Sequence, residues 1–132
     1  MSDSVRVALF DLLTSDPALS ALVGNKVFFQ VAPSGTAYPM VVFHKQSGTT
    51  DRFTSLAVAG NELWTVKGIA TSAAKAEEIA EAIDAALDTT TLTVDGKRTA
   101  PVLRTSDVSY AEVDGDNLYR HQGATYRIRI PQ

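Results

Sequence analysis

The sequence predicts an α+β fold in which one long helix packs on a face of a mainly antiparallel sheet, preceded by short N-terminal helices. Three observations predict it. One amphipathic helical stretch lies mid-chain, strand-like segments flank it, and short turn signals join the later strands. The chain has 132 residues, so we expect a single domain spanning positions 1–132.

The chain is expected to open with two short helices. Apolar residues recur at helical spacing over Ser4–Leu13 and predict the first. Asp16 suits the N-cap of the second, and Pro17 suits its first position, where the missing amide proton would be unpaired anyway. Gly24 suits its end, because glycine adopts left-handed backbone readily.

Three strands should follow. Val27–Val31 is rich in β-branched and aromatic residues, and Met40–His44 is apolar on both faces, which is typical of a central strand. Leu63–Ala70 has the alternation of a third strand. The intervening Gly48–Asn61 has no steady period, so we expect a long loop or a loose β-arm there.

The clearest helix is predicted over Ala73–Leu87, with Ser72 as N-cap. Its apolar stripe recurs at helical spacing and consists of Ala76, Ile79, Ala80, Ile83 and Leu87. The other faces carry acids opposed only by Lys75, namely Glu77, Glu78, Glu81, Asp84 and Asp88. The alanines allow this helix to approach a sheet closely.

The remaining sequence predicts two hairpins. Asp95-Gly96 predicts a tight turn, and residues 114–117 are expected to join strands at about 108–113 and 118–130. In the last strand Thr125, Arg127 and Arg129 share one face, while apolar residues from Ala124 to Ile130 share the other. Tyr119 and His121 would join that apolar face only if Gly123 occupied a one-residue bulge.

Composition excludes several classes. The chain has no cysteine, so it has no disulfide and no thiolate chemistry. It has no stretch near the ~20 apolar residues that span a bilayer, and no secretory leader pattern. A net charge of −3 gives no reason to expect sequence-specific nucleic-acid binding or an anionic membrane. We therefore expect a protein made in a reducing cytoplasm.

Catalytic signals are weak. His44 and His121 lie in predicted strands without further ligands at metal-binding spacing. A Ser-His-Asp triad stays open as an alternative, because triads are defined by geometry, but no supporting motif occurs. We expect no enzyme activity, no cofactor and no metal. A small enzyme or a ligand-binding module is the remote alternative.

Charge is distributed unevenly along the chain. Residues 72–96 hold six acids and one lysine, whereas half of all lysines and arginines lie at or after Lys97. This pattern favours a head-to-tail contact between copies, which closes into a ring when the rotation between subunits divides the circle. The candidate residues are Glu77, Glu81 and Asp84 on the helix and Arg127 and Arg129 on the strand. The alternative is that both patches are simply solvated.

The segment Gly48–Asn61 is long for a connection in a small domain, and such segments are often functional. Arg52, Phe53 and Leu56 add large side chains to its otherwise small and polar sequence. We interpret it as an arm that contacts a neighbouring subunit or partner, with an ordinary extended hairpin as the alternative.

The order of these segments resembles the tail completion, or tail terminator, family of long-tailed bacteriophages and gene-transfer particles. The resemblance extends over about Leu9–Ile130 and is strongest over Asp16–Phe43. It rests on Leu12-Leu13, Asp16-Pro17-Ala18-Leu19, Leu22-Val23-Gly24, Lys26-Val27-Phe28, Ala32-Pro33, Tyr38-Pro39-Met40-Val41-Val42-Phe43, Trp64-Thr65-Val66, and the helix residues Ala76, Ile79-Ala80, Ala82-Ile83 and Ala86-Leu87.

The resemblance implies a structural virion protein at the tail-neck junction, made in the bacterial host cytoplasm. Its members form homo-hexameric rings that cap the tail tube, stop tube polymerisation and offer a surface for head-tail joining. The implied partners are further copies of the chain, the tail tube protein, and a head-completion or connector protein. Another neck component, such as a head-closure protein, or a minor tail protein is the near alternative.

Overall fold

A five-stranded sheet with three helices on one side forms the molecule. The structure, a computed structural model, describes residues 3–53 and 56–131, with side chains at positions 5–50 and 60–131. The elements are α1 (Asp3–Ser15), α2 (Pro17–Val23), β1 (Val27–Phe29), β2 (Met40–Phe53), β3 (Leu56–Ala70), α3 (Ala73–Leu87), β4 (Thr93–Val94), β5 (Lys97–Arg98), β6 (Leu103–Asp114) and β7 (Asn117–Pro131).

The strand order of the main sheet is β1-β2-β3-β7-β6. Only β1 and β2 run parallel, whereas the other three neighbouring pairs are antiparallel. The short strands β4 and β5 form a separate two-stranded ribbon. The predicted α+β class and the mainly antiparallel sheet are therefore confirmed.

The helix boundaries follow the predicted capping residues. The Asp16 carboxylate accepts a hydrogen bond from the Leu19 amide at 3.0 Å, and Gly24 ends α2 with φ of +65°. The Ser72 hydroxyl accepts from the Lys75 amide at 3.2 Å, and α3 spans the predicted Ala73–Leu87. These short-range signals were sufficient because each cap bonds within its own first turn.

Four strands differ from their predicted lengths, and among them β6 begins at Leu103 rather than at about residue 108. The strand β1 ends at Phe29, because Gln30 takes a φ of +68° that leaves the extended region. In the described part of Gly48–Asn61, residues 48–53 belong to β2 and residues 56–61 belong to β3, which makes this part a β-arm rather than a loop. Backbone amides and carbonyls hold this pairing, so it needs no alternation of apolar side chains.

The bulge considered at Gly123 is absent. The pairing of β3 with β7 runs without a register shift from Ala59↔Pro131 to Ala70↔Arg120. Tyr119 and His121 therefore face away from the helices. Tyr119 is stabilised there by stacking on Tyr38, with ring centroids 4.3 Å apart, beside a small apolar cluster of Met40, Val42 and Ile69.

The main core lies between the helices and one face of the sheet. It includes the fully buried Leu9 of α1, Ile79 of α3 and Trp64 of β3. Gly68 permits the close approach of α3, because a Cβ at that position would lie 2.4 Å from Cγ2 of Ile79. Loss of water contact by these side chains is the dominant stabilising term.

A buried hydrogen bond joins α3 to β7. The Tyr126 hydroxyl donates to Oδ1 of Asp84 at 2.9 Å, and Tyr126 is 1% exposed. Burial raises the pKa of Tyr126 above its usual value of 10, and the bond to Asp84 raises it further. The folded subunit therefore requires the neutral phenol at this position.

Tyr126→Phe is expected to lower the free energy of unfolding by about 1–2 kcal/mol at pH 7, since it removes this bond. Above pH 10 the unfolded tyrosine ionises while the folded one stays protonated. The advantage of the wild type over the variant should then fall by up to about 1.4 kcal/mol per pH unit. Urea unfolding at pH 7 and pH 11 measures this difference, and an equal advantage at both pH values would contradict it.

Candidate interaction surfaces

Arg127 and Arg129 lie on the face of the sheet that the helices leave open. The register pairs Leu63 with Arg127 and Asn61 with Arg129. Together with Ser47 and Thr49 these residues line a depression of about 380 Å³, which we call the basic depression. Nη1 of Arg129 donates to Oδ1 of Asn61 at 3.2 Å. The two predicted arginines are thus part of one shallow surface.

The predicted arm residues lie where β2 ends and β3 begins. The backbone register pairs Arg52 with Ala57 and Phe53 with Leu56. The side chains of Arg52, Phe53 and Leu56 lie outside the described part of the molecule. Their role in a contact stays a prediction.

The predicted acidic residues lie along a groove between α3 and β7. Glu77, Glu81 and Asp84 line this groove of about 330 Å³, and Arg104 lies in it as well. Asp84 is engaged within the subunit, because it accepts from Tyr126 and pairs with Arg104 at 3.6 Å. Glu77 and Glu81 are exposed. Glu77 and Glu81 are therefore accessible to a partner, whereas Asp84 is held by contacts within its own subunit.

The two sets of charges lie on opposite faces of the sheet. The face packed against α3 carries the acids of that helix, and the opposite face carries Arg127 and Arg129. A head-to-tail contact joins two different patches of identical subunits, so it needs complementary patches that one copy cannot bring together itself. The structure has this arrangement.

One polar cluster on the open face was not predicted from the sequence. The rings of Tyr110 and His121 stack with centroids 4.3 Å apart, and Nε2 of His121 lies 2.8 Å from Oε1 of Glu112. Burial lowers the pKa of His121, and the bond to Glu112 partly opposes this shift. Nζ of Lys67 donates to the Tyr110 hydroxyl at 2.6 Å. The two-residue turn at 115–116 sets the pairing of Tyr110 with His121, whereas Lys67 joins the cluster only through the register of β3 with β7.

Across residues 3–53 and 56–131, no three His, Asp or Glu side chains are grouped as metal ligands would be. In the same ranges no helix has the length and apolar character needed to cross a membrane.

The fold matches solved structures over the whole chain. A chain in the structure described as the virion of a native gene transfer agent particle matches with a TM-score of 0.85 and 20% identity, covering 99% of this chain and 97% of that one. A second solved chain matches with a TM-score of 0.67 and 15% identity, covering 100% and 96%. The fold is thus one that a virion component adopts.

The family follows from the sequence itself. The model of the family described as tail completion protein gp17 matches residues 7–130, and the chain belongs to that family. No curated protein matches the chain by sequence. Family membership confirms the resemblance seen in the sequence and makes this chain a structural component of a phage-type tail, located in the virion.

Proposed function

We propose that this chain terminates the tail tube. Six copies form a ring that caps the tube at its final length, prevents further tube subunits from adding, and presents its other side to a head-completion or connector protein. The observation that carries the proposal is membership of the tail completion family, in a chain whose exposed basic surface lies apart from its acidic surfaces.

The ring contact is head-to-tail. Its basic side is the surface around Arg127 and Arg129. Its acidic side is one of the exposed acidic surfaces of the subunit, and the charge pattern along the sequence offers Glu77 and Glu81 as one candidate. A single exposed ion pair contributes only about 0–1 kcal/mol. A closed ring repeats the contact at every subunit boundary, so weak pairs together stabilise the assembly.

Capping requires that the outer side of the ring lacks the surface to which tube subunits add. Tube subunits add to an exposed template at the end of the growing tube. The terminator occupies that template and presents a different surface on its far side. The β-arm of β2 and β3, with Arg52, Phe53 and Leu56, is the candidate for contact with the tube, because it extends past Ala59, where β3 stops pairing with β7.

Elongation of the tube tests this function. Purified chain is added to polymerising tube protein from the same particle, and tube lengths are measured by electron microscopy. We expect elongation to stop, with the chain found at one end of each tube. An equal amount of heat-unfolded chain is the control and should leave the lengths unchanged. Tubes that continue to grow with folded chain present would contradict the proposal.

A further inference from the structure

The hairpin of β6 and β7 extends beyond the rest of the sheet. Pairing between β3 and β7 stops at Ala70↔Arg120. A second depression, between the start of α3 and the hairpin, is lined on the hairpin side only as far as Ala111 and Arg120. In the described chain the backbone of residues 112–119 pairs only within the hairpin, and at its base Tyr119 stacks on Tyr38 and Glu112 contacts His121. We call this segment the hairpin tip.

The hairpin tip combines exposed apolar and acidic side chains. Val113 and Leu118 are a cross-strand pair, and they are 72% and 39% exposed. Asp114 and Asp116 are exposed beside them, and neither forms an ion pair with another described residue. Exposed apolar side chains with a charged rim are typical of surfaces that bind another protein.

The basic depression has the complementary character. Leu63 contributes an apolar wall, and Arg127 and Arg129 supply positive charge around it. No carboxylate in the described part of the chain pairs with Arg127. Along β7 the hairpin tip and this depression are about 35 Å apart at 3.3 Å per residue, so they cannot meet within one subunit.

We propose that the hairpin tip of one copy inserts into the basic depression of the next copy. The tip, rather than α3, is then the acidic side of the ring contact. The inference rests on the proposed ring and names the surface that closes it. It is favoured over α3 because Asp84 is held by Tyr126 and Arg104 within its own subunit, and because Glu77 and Glu81 share their groove with Arg104.

Charge exchange between the two surfaces tests the inference. Light scattering over a concentration series gives the assembly mass of the wild type, D114K/D116K, R127E/R129E and the variant with all four changes. We expect each double variant to weaken assembly at least tenfold. The quadruple variant should recover most of the lost affinity. Val113→Thr keeps strand propensity and shape, and it should weaken assembly about threefold or more. Urea unfolding of each variant identifies any that fails to fold.

The matched control combines R127E/R129E with E77K/E81K. Recovery in this control, without recovery in the D114K/D116K combination, would show that α3 faces the arginines, which overturns the hairpin tip but leaves the ring. Wild-type assembly in both D114K/D116K and Val113→Thr would also overturn the hairpin tip. If the wild type instead stays monomeric at all concentrations, and also when bound to tubes, the proposed ring is wrong. The hairpin-tip contact is then wrong as well.

Discussion

Gly123→Ala is expected to destabilise the subunit by about 3 kcal/mol, because it forces a Cβ into closely packed backbone. An added Cβ would lie 2.2 Å from the Val66 carbonyl oxygen and 2.6 Å from Cα of Lys67. Both atoms belong to the backbone of β3, which is paired on both sides by β2 and β7. The backbone cannot shift there without disturbing two ladders of hydrogen bonds.

The matched control is Gly48→Ala, also within the sheet. Its Cβ would meet Cε of Lys45 at 3.2 Å, and this exposed side chain can move aside. We expect this control to change the free energy of unfolding by less than about 0.5 kcal/mol. Urea unfolding followed by circular dichroism measures both variants. Equal stability of the two variants would show that the close approach at Gly123 is not rigid.

R127E/R129E is expected to dissociate the ring while leaving the subunit folded. The change removes an attraction and adds a repulsion at each contact, which we place at about 2 kcal/mol, or roughly thirtyfold in affinity. Both side chains are exposed on the open face, so the free energy of unfolding should change by less than about 0.5 kcal/mol. Light scattering measures the assembly, and urea unfolding measures the subunit.

K97E/R98E provides the charge-matched control. Both residues are exposed on β5, in the separate ribbon, and the substitution changes the net charge by the same amount. We expect it to retain the wild-type assembly mass. If the two double variants dissociate alike, general charge rather than the Arg127 surface controls assembly. If R127E/R129E keeps the wild-type mass, these arginines do not lie in the ring contact.

Local signals in the sequence predicted the parts of the fold that depend on neighbouring residues. The span of α3, its Ser72 cap and the Asp16-Pro17 start of α2 each follow from contacts within one helical turn. The alternation of β7 likewise placed its apolar residues correctly, since period two needs no distant partner. The order of strands could not be predicted in this way, because the pairing of Trp64 with Tyr126 joins residues far apart in the chain.

The interaction surfaces likewise combine features that neighbouring residues predict with features that depend on distant parts of the chain. The spacing of Arg127 and Arg129 predicts that they share a face, but Leu63 joins them only through the register of β3 with β7. Asp84 could not be distinguished from Glu81 by sequence, because its partner Tyr126 lies in another element. Val113 is exposed because the contacts of the hairpin with α3 and β3 end at Ala111 and Arg120. The sequence around Val113 does not indicate where those contacts end.

Tube length in the elongation assay decides whether the chain is a tube cap. We expect mean length to stop increasing once about six copies of the chain are present per tube, and we expect R127E/R129E to require a much higher concentration for the same effect. Tube length that is independent of the amount of folded chain, or chain bound along the tube wall rather than at one end, would contradict it.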